Sequence, residues 1–281
     1  MAQPFAPDPP PAPVDFHLHS TASDGDLPPA HVASAARKAW LSHWALTDHD
    51  TLAGWRSIAG SPGLICGVEV TAGAEDREVH VVGLAIDPEH PGLAALLAGI
   101  RQRRLERLDI LLARLPDEVR RGLTAAEVKP PEADSVGRLH LARALTRGGG
   151  VASVRDAFAF HLADEHLADA SLPPFPPIRE VAATIRAAGG VAILAHPGAY
   201  RSLEVAARLA DGLDGVECAH PGLDRELQHG LLALCAERRL LVSLGSDTHR
   251  ISATRRPGSV RLAAPLLAPL IERVGRPSPM L

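Results

Sequence analysis

Seven short runs rich in β-branched and aliphatic residues alternate with helical stretches, and this alternation is the strongest constraint on what the chain can fold into. The runs lie at 14–19, 43–47, 64–70, 79–86, 191–195, 214–218 and 241–245. Helical patterns fall at 29–40, 91–115, 137–147, 153–162, 177–188, 202–210 and 223–238, several with apolar residues at i, i+3 and i+4. Strands that alternate with helices are spaced for crossover connections, so the expected class is a parallel α/β fold. One stretch breaks the rhythm. From about 90 to 174 there are helical patterns and turns but no strand pattern, which reads as an inserted helical subdomain in a body spanning 14–281. The cluster SLPPFPPI at 171–178 leads back into that body, and residues 1–13 read as a proline-rich, flexible leader.

The residue inventory narrows the setting. Three cysteines at 66, 218 and 235 form no close-spaced motif, so a disulfide scaffold is excluded and a reducing cytoplasm is expected, with the thiols as small buried groups. No run is long and apolar enough for a membrane span. The formal charge of −4 argues against a stable nucleic-acid complex. Only Lys38 and Lys129 are lysines, so the cations are almost all arginine, the side chain suited to forked contacts with phosphate. Arg101, Arg103, Arg104, Arg107 and Arg114 crowd one helical stretch and read as a solvated face.

Fourteen histidines are a marked excess, and their positions carry the chemistry. Side chains alternate along a strand, so D-F-H-L-H-S puts Asp15, His17 and His19 on one face and Phe16 and Leu18 on the other. Asp24 follows on a loop. The second run ends in T-D-H-D, with His49 between Asp48 and Asp50, either of which could orient its ring. Glu69 lies in the third run, His80 near the start of the fourth, His196 after the fifth, and Asp247 and His249 after the seventh. The carboxyl edge of a parallel sheet is where sites are built. Nine such groups at one edge, buried without cations, would be costly to desolvate, so metal binding is expected. A histidine and carboxylate set without cysteine suits Mn, Zn or Fe.

The ordered motifs D-F-H-L-H-S, L-T-D-H-D-T, G-V-E-V-T, V-H-V-V-G, L-A-H-P-G and G-S-D-T-H resemble those of the PHP (polymerase and histidinol phosphatase) family. The resemblance implies a distorted (β/α)7 barrel and three divalent metal ions. By motif, the first ion falls to His17, His19, Glu69 and Asp247, the second to Glu69, His80 and His196, and the third to Asp24, His49 and His249. It also implies that a metal-bridging hydroxide is held at Glu69; no residue is assigned as the leaving-group acid. Length, motif order and the G-R-L-H-L-A-R segment are most similar to nucleoside 3′,5′-bisphosphate phosphatases and to 5′-to-3′ exoribonucleases of the ribonuclease AM type. A phosphorylated nucleotide or a short RNA 5′ end is then the expected substrate, with Arg138, His140 and Arg143 as candidate binding residues. Relatives carry a Gly-Lys late in the insertion that helps hold phosphate. The matching A-D-E-H-L-A-D lacks lysine, leaving His166 or an arginine as a replacement. Two other readings share these motifs: a histidinol-phosphate phosphatase, and a non-catalytic metal-dependent interaction module.

Overall fold

The computed structural model describes residues 13–75, 77–163 and 172–275; of the leader, only Pro13 falls within them. Seven strands form a single sheet in chain order: β1 (Val14–Asp15), β2 (His43–Leu46), β3 (Leu64–Ala74), β4 (Arg77–Leu84), β5 (Val191–Leu194), β6 (Gly215–Ala219) and β7 (Leu241–Leu244). The sheet curls back on itself. The Phe16 N–H donates to Leu244 O at 3.2 Å, the Asp247 N–H to His17 O at 2.9 Å and the His19 N–H to Thr248 O at 3.2 Å. Asp15 clamps this seam, accepting from the Ser246 and Gly258 N–H groups at 3.0 and 2.8 Å. Full burial pushes the Asp15 carboxyl up to about 6. Asp15 therefore closes the barrel rather than joining His17 and His19.

The sheet is not wholly parallel, contrary to the sequence-based expectation. β4 runs antiparallel to both β3 and β5. The reason is chain length: Ala74 pairs with Arg77, a hairpin connection far shorter than the dozen or more residues a parallel crossover needs. The reversal has a functional consequence. His80, near the beginning of β4, pairs with Thr71 late in β3, and so lands at the edge where the parallel strands end. β1 is also shorter than expected. Residues 16–19 lie outside the strand proper, tied by the seam hydrogen bonds and an isolated bridge at Leu18, yet the alternation persists, with Phe16 and Leu18 fully buried in apolar clusters.

Helices α1 (Pro29–Lys38) and α2 (Ala53–Ser57) precede the insertion. Among the described residues between β4 and β5 there is no strand. That region holds α3 (Pro91–Arg114), α4 (Asp117–Arg120), α5 (Ala125–Val128), α6 (Arg138–Arg147) and α7 (Val154–Ala157), the last running into a π-helical turn at Phe158–Leu162. It builds its own apolar cluster around Leu108, Leu112, Leu141, Leu145 and Leu162. The outer layer resumes with α8 (Ile178–Ala187), α9 (Leu203–Leu209), α10 (Arg225–Arg238) and α11 (Ala264–Val274). Ser202 and Asp224 cap α9 and α10 by accepting the Val205 and Leu227 N–H groups. None of the described helices is long and apolar enough to cross a membrane. The architecture is a distorted (β/α)7 barrel with an inserted helical subdomain.

The α8 helix seals the barrel wall where the antiparallel strand sits. Ile185 on its inner face is fully buried and fills the space left by the missing side chains of Gly83 and Gly190. Ile185→Ala should cost about 2–5 kcal/mol of unfolding free energy, read as a lower denaturant midpoint at unchanged slope. A loss below about 0.5 kcal/mol would contradict this packing role.

Candidate metal centre

All nine side chains singled out in the sequence meet at the carboxyl edge of the barrel. Glu69 is the hub. Its Oε2 lies 3.2 Å from His17 Nε2, 3.2 Å from His19 Nε2 and 3.1 Å from His49 Nδ1, while Oε1 lies 3.1 Å from His80 Nδ1 and 2.8 Å from His196 Nε2. Asp247 Oδ1 lies 3.2 Å from both His19 Nε2 and His249 Nδ1. Asp24 reaches His249 Nε2 at 3.1 Å and His49 Nε2 at 3.8 Å. Three groups bring their donor atoms within 4.8 Å of one another: His19, Asp24, His49 and His249; His17, His19 and Asp247; and His49, Glu69 and His80. His19 and His49 are thus each shared between two groups, a closer interleaving than the motif-by-motif partition.

These residues fit metal ions on an internal criterion. His17 Nε2, His19 Nε2, His49 Nδ1 and Glu69 Oε2 are buried and lack a hydrogen-bond partner, yet all four crowd one point. Each orphaned polar atom costs about 1–3 kcal/mol unless something satisfies it. Electrostatics says the same. Burial alone would raise the Glu69 carboxyl, but His49, His17 and His80 reverse this and hold it well below the usual range. Asp24 and Asp247 are likewise pulled down against burial, each chiefly by His249. The carboxylates stay ionised, and without metal the cluster recruits protons. Burial disfavours the charged ring of His80, but the Glu69 charge overrides it and lifts His80 to about 10.

Asp48 and Asp50 do not orient His49 as the sequence suggested. Asp48 precedes His49 along the chain and points to the other side, while Asp50 lies in a left-handed turn at φ 54°. Asp48 turns to Ser20 and Ser23, accepting from the Ser20 N–H at 2.7 Å and the Ser23 hydroxyl at 2.6 Å. Asp50 accepts from the Thr71 N–H at 2.7 Å and from Arg104 Nε at 2.6 Å. That pairing also corrects the reading of α3 as carrying a solvated arginine face. Arg104 is buried against Asp50, Arg101 donates to Asp50 O, and Arg107 lies 4.5 Å over the Phe175 ring. A 3.6-residue period turns part of the arginine run inward, toward the barrel mouth.

The candidate substrate residues divide between two walls. Arg138 Nη2 lies 3.5 Å from Glu78, which itself contacts His80 Nε2 at 3.2 Å; Arg138 shares a pocket with Arg104, Arg107 and Phe175. Arg143 donates to Asp24 O at 2.8 Å, pairs with Asp26 at 2.7 Å, and lines a second pocket with Ser23, His140 and Arg147. The His140 Nδ1 accepts the Gly137 N–H at 3.1 Å, so this ring caps the start of α6. His166 lies outside the described residues. Three groups beside the cluster are not among the candidates named from the sequence: Glu78; Glu217, 3.2 Å from His17 Nδ1; and His220, 3.2 Å from Asp247 Oδ2. A signal for Glu217 existed, since G-V-E at 215–217 repeats the G-V-E that carries Glu69.

Metal ligation needs neutral imidazole, so metal uptake at the group that includes His80 would expel that ring's proton. With its pKa raised to about 10, that proton stabilises the metal-free fold fully below the ordinary imidazole value of 6.5, and the contribution is lost as pH rises through about 10. Titrating manganese into metal-free protein at pH 8, in buffers of different ionisation enthalpy, should show release of at least about one proton. Heats independent of the buffer would contradict this account.

No family model matches the chain. It is 32% identical over 252 residues to the 5′-3′ exoribonuclease Rnm of Escherichia coli, covering 84% of this chain and 85% of that one. It is 34% identical over 249 residues to the 3′,5′-nucleoside bisphosphate phosphatase of Chromobacterium violaceum, covering 84% and 87%. A solved structure from Bifidobacterium adolescentis, assigned as a metal-dependent phosphoesterase, superposes with a TM-score of 0.76 at 30% identity, covering 96% of this chain and all of that one. With the barrel, the histidine and carboxylate cluster and these relatives in agreement, the chain belongs to the PHP family of metal-dependent phosphoesterases and is similar there to the nucleoside bisphosphate phosphatase and the Rnm exoribonuclease.

Proposed function

We propose that this enzyme hydrolyses the 3′-phosphate ester of nucleoside 3′,5′-bisphosphates, releasing phosphate, and trims 5′-phosphorylated RNA ends in the 5′-to-3′ direction. The observation that carries this reading is the pair Arg107 and Arg138 in the pocket beside the ligand cluster, joined to it through Glu78 and His80. These two guanidinium groups place positive charge for a second phosphate beside the reacting one. Three divalent ions, Mn, Zn or Fe, are assigned by the motifs to His17, His19, Glu69 and Asp247; to Glu69, His80 and His196; and to Asp24, His49 and His249. When bound, such ions supply hydroxide at neutral pH and offset the charge on a transferring phosphoryl group.

The chain's own residues do the rest. Glu69 presents one oxygen to each side of the cluster and so fixes the distance between ligand sets. Arg138 and Arg107 hold the 5′-phosphate, and Arg107 is the arginine best placed to stand in for the absent lysine, because it shares Glu78 with Arg138. Arg143 steadies the loop carrying Asp24 through that residue's carbonyl. The insertion at about 90–174 thereby sets substrate choice. One anchor and one reacting centre explain both activities: with the 5′-phosphate seated, phosphorus on O3′ leaves as phosphate from a bisphosphate, or as the rest of the chain from an RNA end. A cytoplasmic setting suits free Cys66, Cys218 and Cys235.

The metal-reconstituted enzyme should turn over adenosine 3′,5′-bisphosphate about 10- to 100-fold faster, in kcat/KM, than adenosine 3′-monophosphate. That ratio is the worth of a hydrogen bond to a charged group. Arg138→Ala should erase most of the difference. Equal turnover of RNA with 5′-phosphate and 5′-hydroxyl ends, or histidinol phosphate as the best substrate, would overturn the proposal.

A further inference from the structure

The two nitrogens of the His17 ring face different groups. Nε2 points into the cluster, while Nδ1 lies 3.2 Å from Glu217 Oε1. The other oxygen, Oε2, accepts the backbone N–H of His196 at 2.6 Å. One carboxylate on β6 therefore touches two members of the cluster, one through its ring and one through its main chain. Glu217 is 2% exposed. Both its oxygens are occupied in this way, and it belongs to none of the three groups whose donor atoms converge.

The local fold is built around this carboxylate. The ladder between β6 and β7 slips at this point: Glu217 faces Ser243 and Ala219 faces Leu244, so a bulge aims the side chain into the barrel. Gly245 leaves the necessary room, since a Cβ there would collide with both the His17 Cβ and Glu217 Oε1. His196 sits at φ 29°, ψ 57°, in the left-handed region that residues other than glycine seldom adopt, and the Glu217 bond to its N–H holds it there. That backbone turn brings His196 Nε2 to Glu69.

We infer that Glu217 is a positioning residue shared by two metal ligands: one oxygen fixes His17 as the Nδ1–H tautomer, and the other holds the His196 backbone so that its ring meets Glu69. Carboxylates that accept from the second nitrogen of a ligating histidine set its tautomer and orientation. The inference rests on the ligand roles proposed above for His17 and His196.

The test uses full-length protein reconstituted with manganese. Glu217→Gln keeps the shape, but its amide nitrogen donates, so its one oxygen can accept from the His17 ring or the His196 N–H and not from both. It should retain metal about 10- to 100-fold less well against a chelator, and lose kcat by a similar factor. KM for adenosine 3′,5′-bisphosphate should stay within about twofold, because the arginines proposed to hold substrate lie on other walls. His17→Ala serves as the reference. If His17→Ala loses metal while Glu217→Gln keeps wild-type metal and kcat, the role of Glu217 is wrong and the ligand reading stands. If His17→Ala keeps all its metal, the ligand reading itself fails. Should Glu217→Gln not fold, nitrogen-15 imidazole spectra of the zinc-loaded wild type decide: His17 protonated at Nδ1 supports the inference, and protonation at Nε2 overturns it.

Discussion

Glu69 is the interaction on which the rest of the site depends. A carboxylate 1% exposed, in contact with five imidazoles, concentrates a charge that the barrel interior cannot solvate. Imidazolium can neutralise it in the metal-free chain, and metal can do so more completely. The second choice frees each ring to act as a ligand, and it also satisfies the orphaned atoms of His17, His19 and His49. Asp24 and Asp247 repeat the same balance at either side, each with its oxygens aimed at histidines from other strand ends.

The barrel exists to deliver those groups to one point. Parallel strands bring β2, β5 and β7 to the same edge, and the single reversed strand delivers His80 from its beginning rather than its end. Seam closure by Asp15 sets His17 and His19 beside Asp247 and His249, although more than 225 residues of chain separate the two pairs. Around this centre the arginines sort by position. Arg104 is consumed by a buried pair with Asp50, which anchors the β2 turn, whereas Arg107 and Arg138 lean on Glu78 at the mouth. The same residue type thus serves structure in one place and anion recognition a few ångströms away.

Much of this was legible in the sequence, because strand period and motif order are local properties. The seven runs correspond to seven strands, and the nine polar residues do meet. What escaped was non-local. Nothing near Asp48 and Asp50 reveals that Ser20, Ser23, Thr71 and Arg104 would claim them before His49 could. The antiparallel β4 was readable in principle from the short Ala74–Arg77 connection, but strand alternation outweighed it. Glu217 was hidden for a different reason: its partners are 200 and 21 residues away, and only the fold shows that Gly245 makes space for it.

The claim that joins fold to function is that these nine side chains hold a three-ion cluster bridged at Glu69. Anomalous diffraction from crystals of manganese-loaded protein tests it most directly. The account predicts three peaks at the carboxyl edge of the barrel, two of them in contact with Glu69. A single peak, or peaks lying away from Glu69, would contradict it.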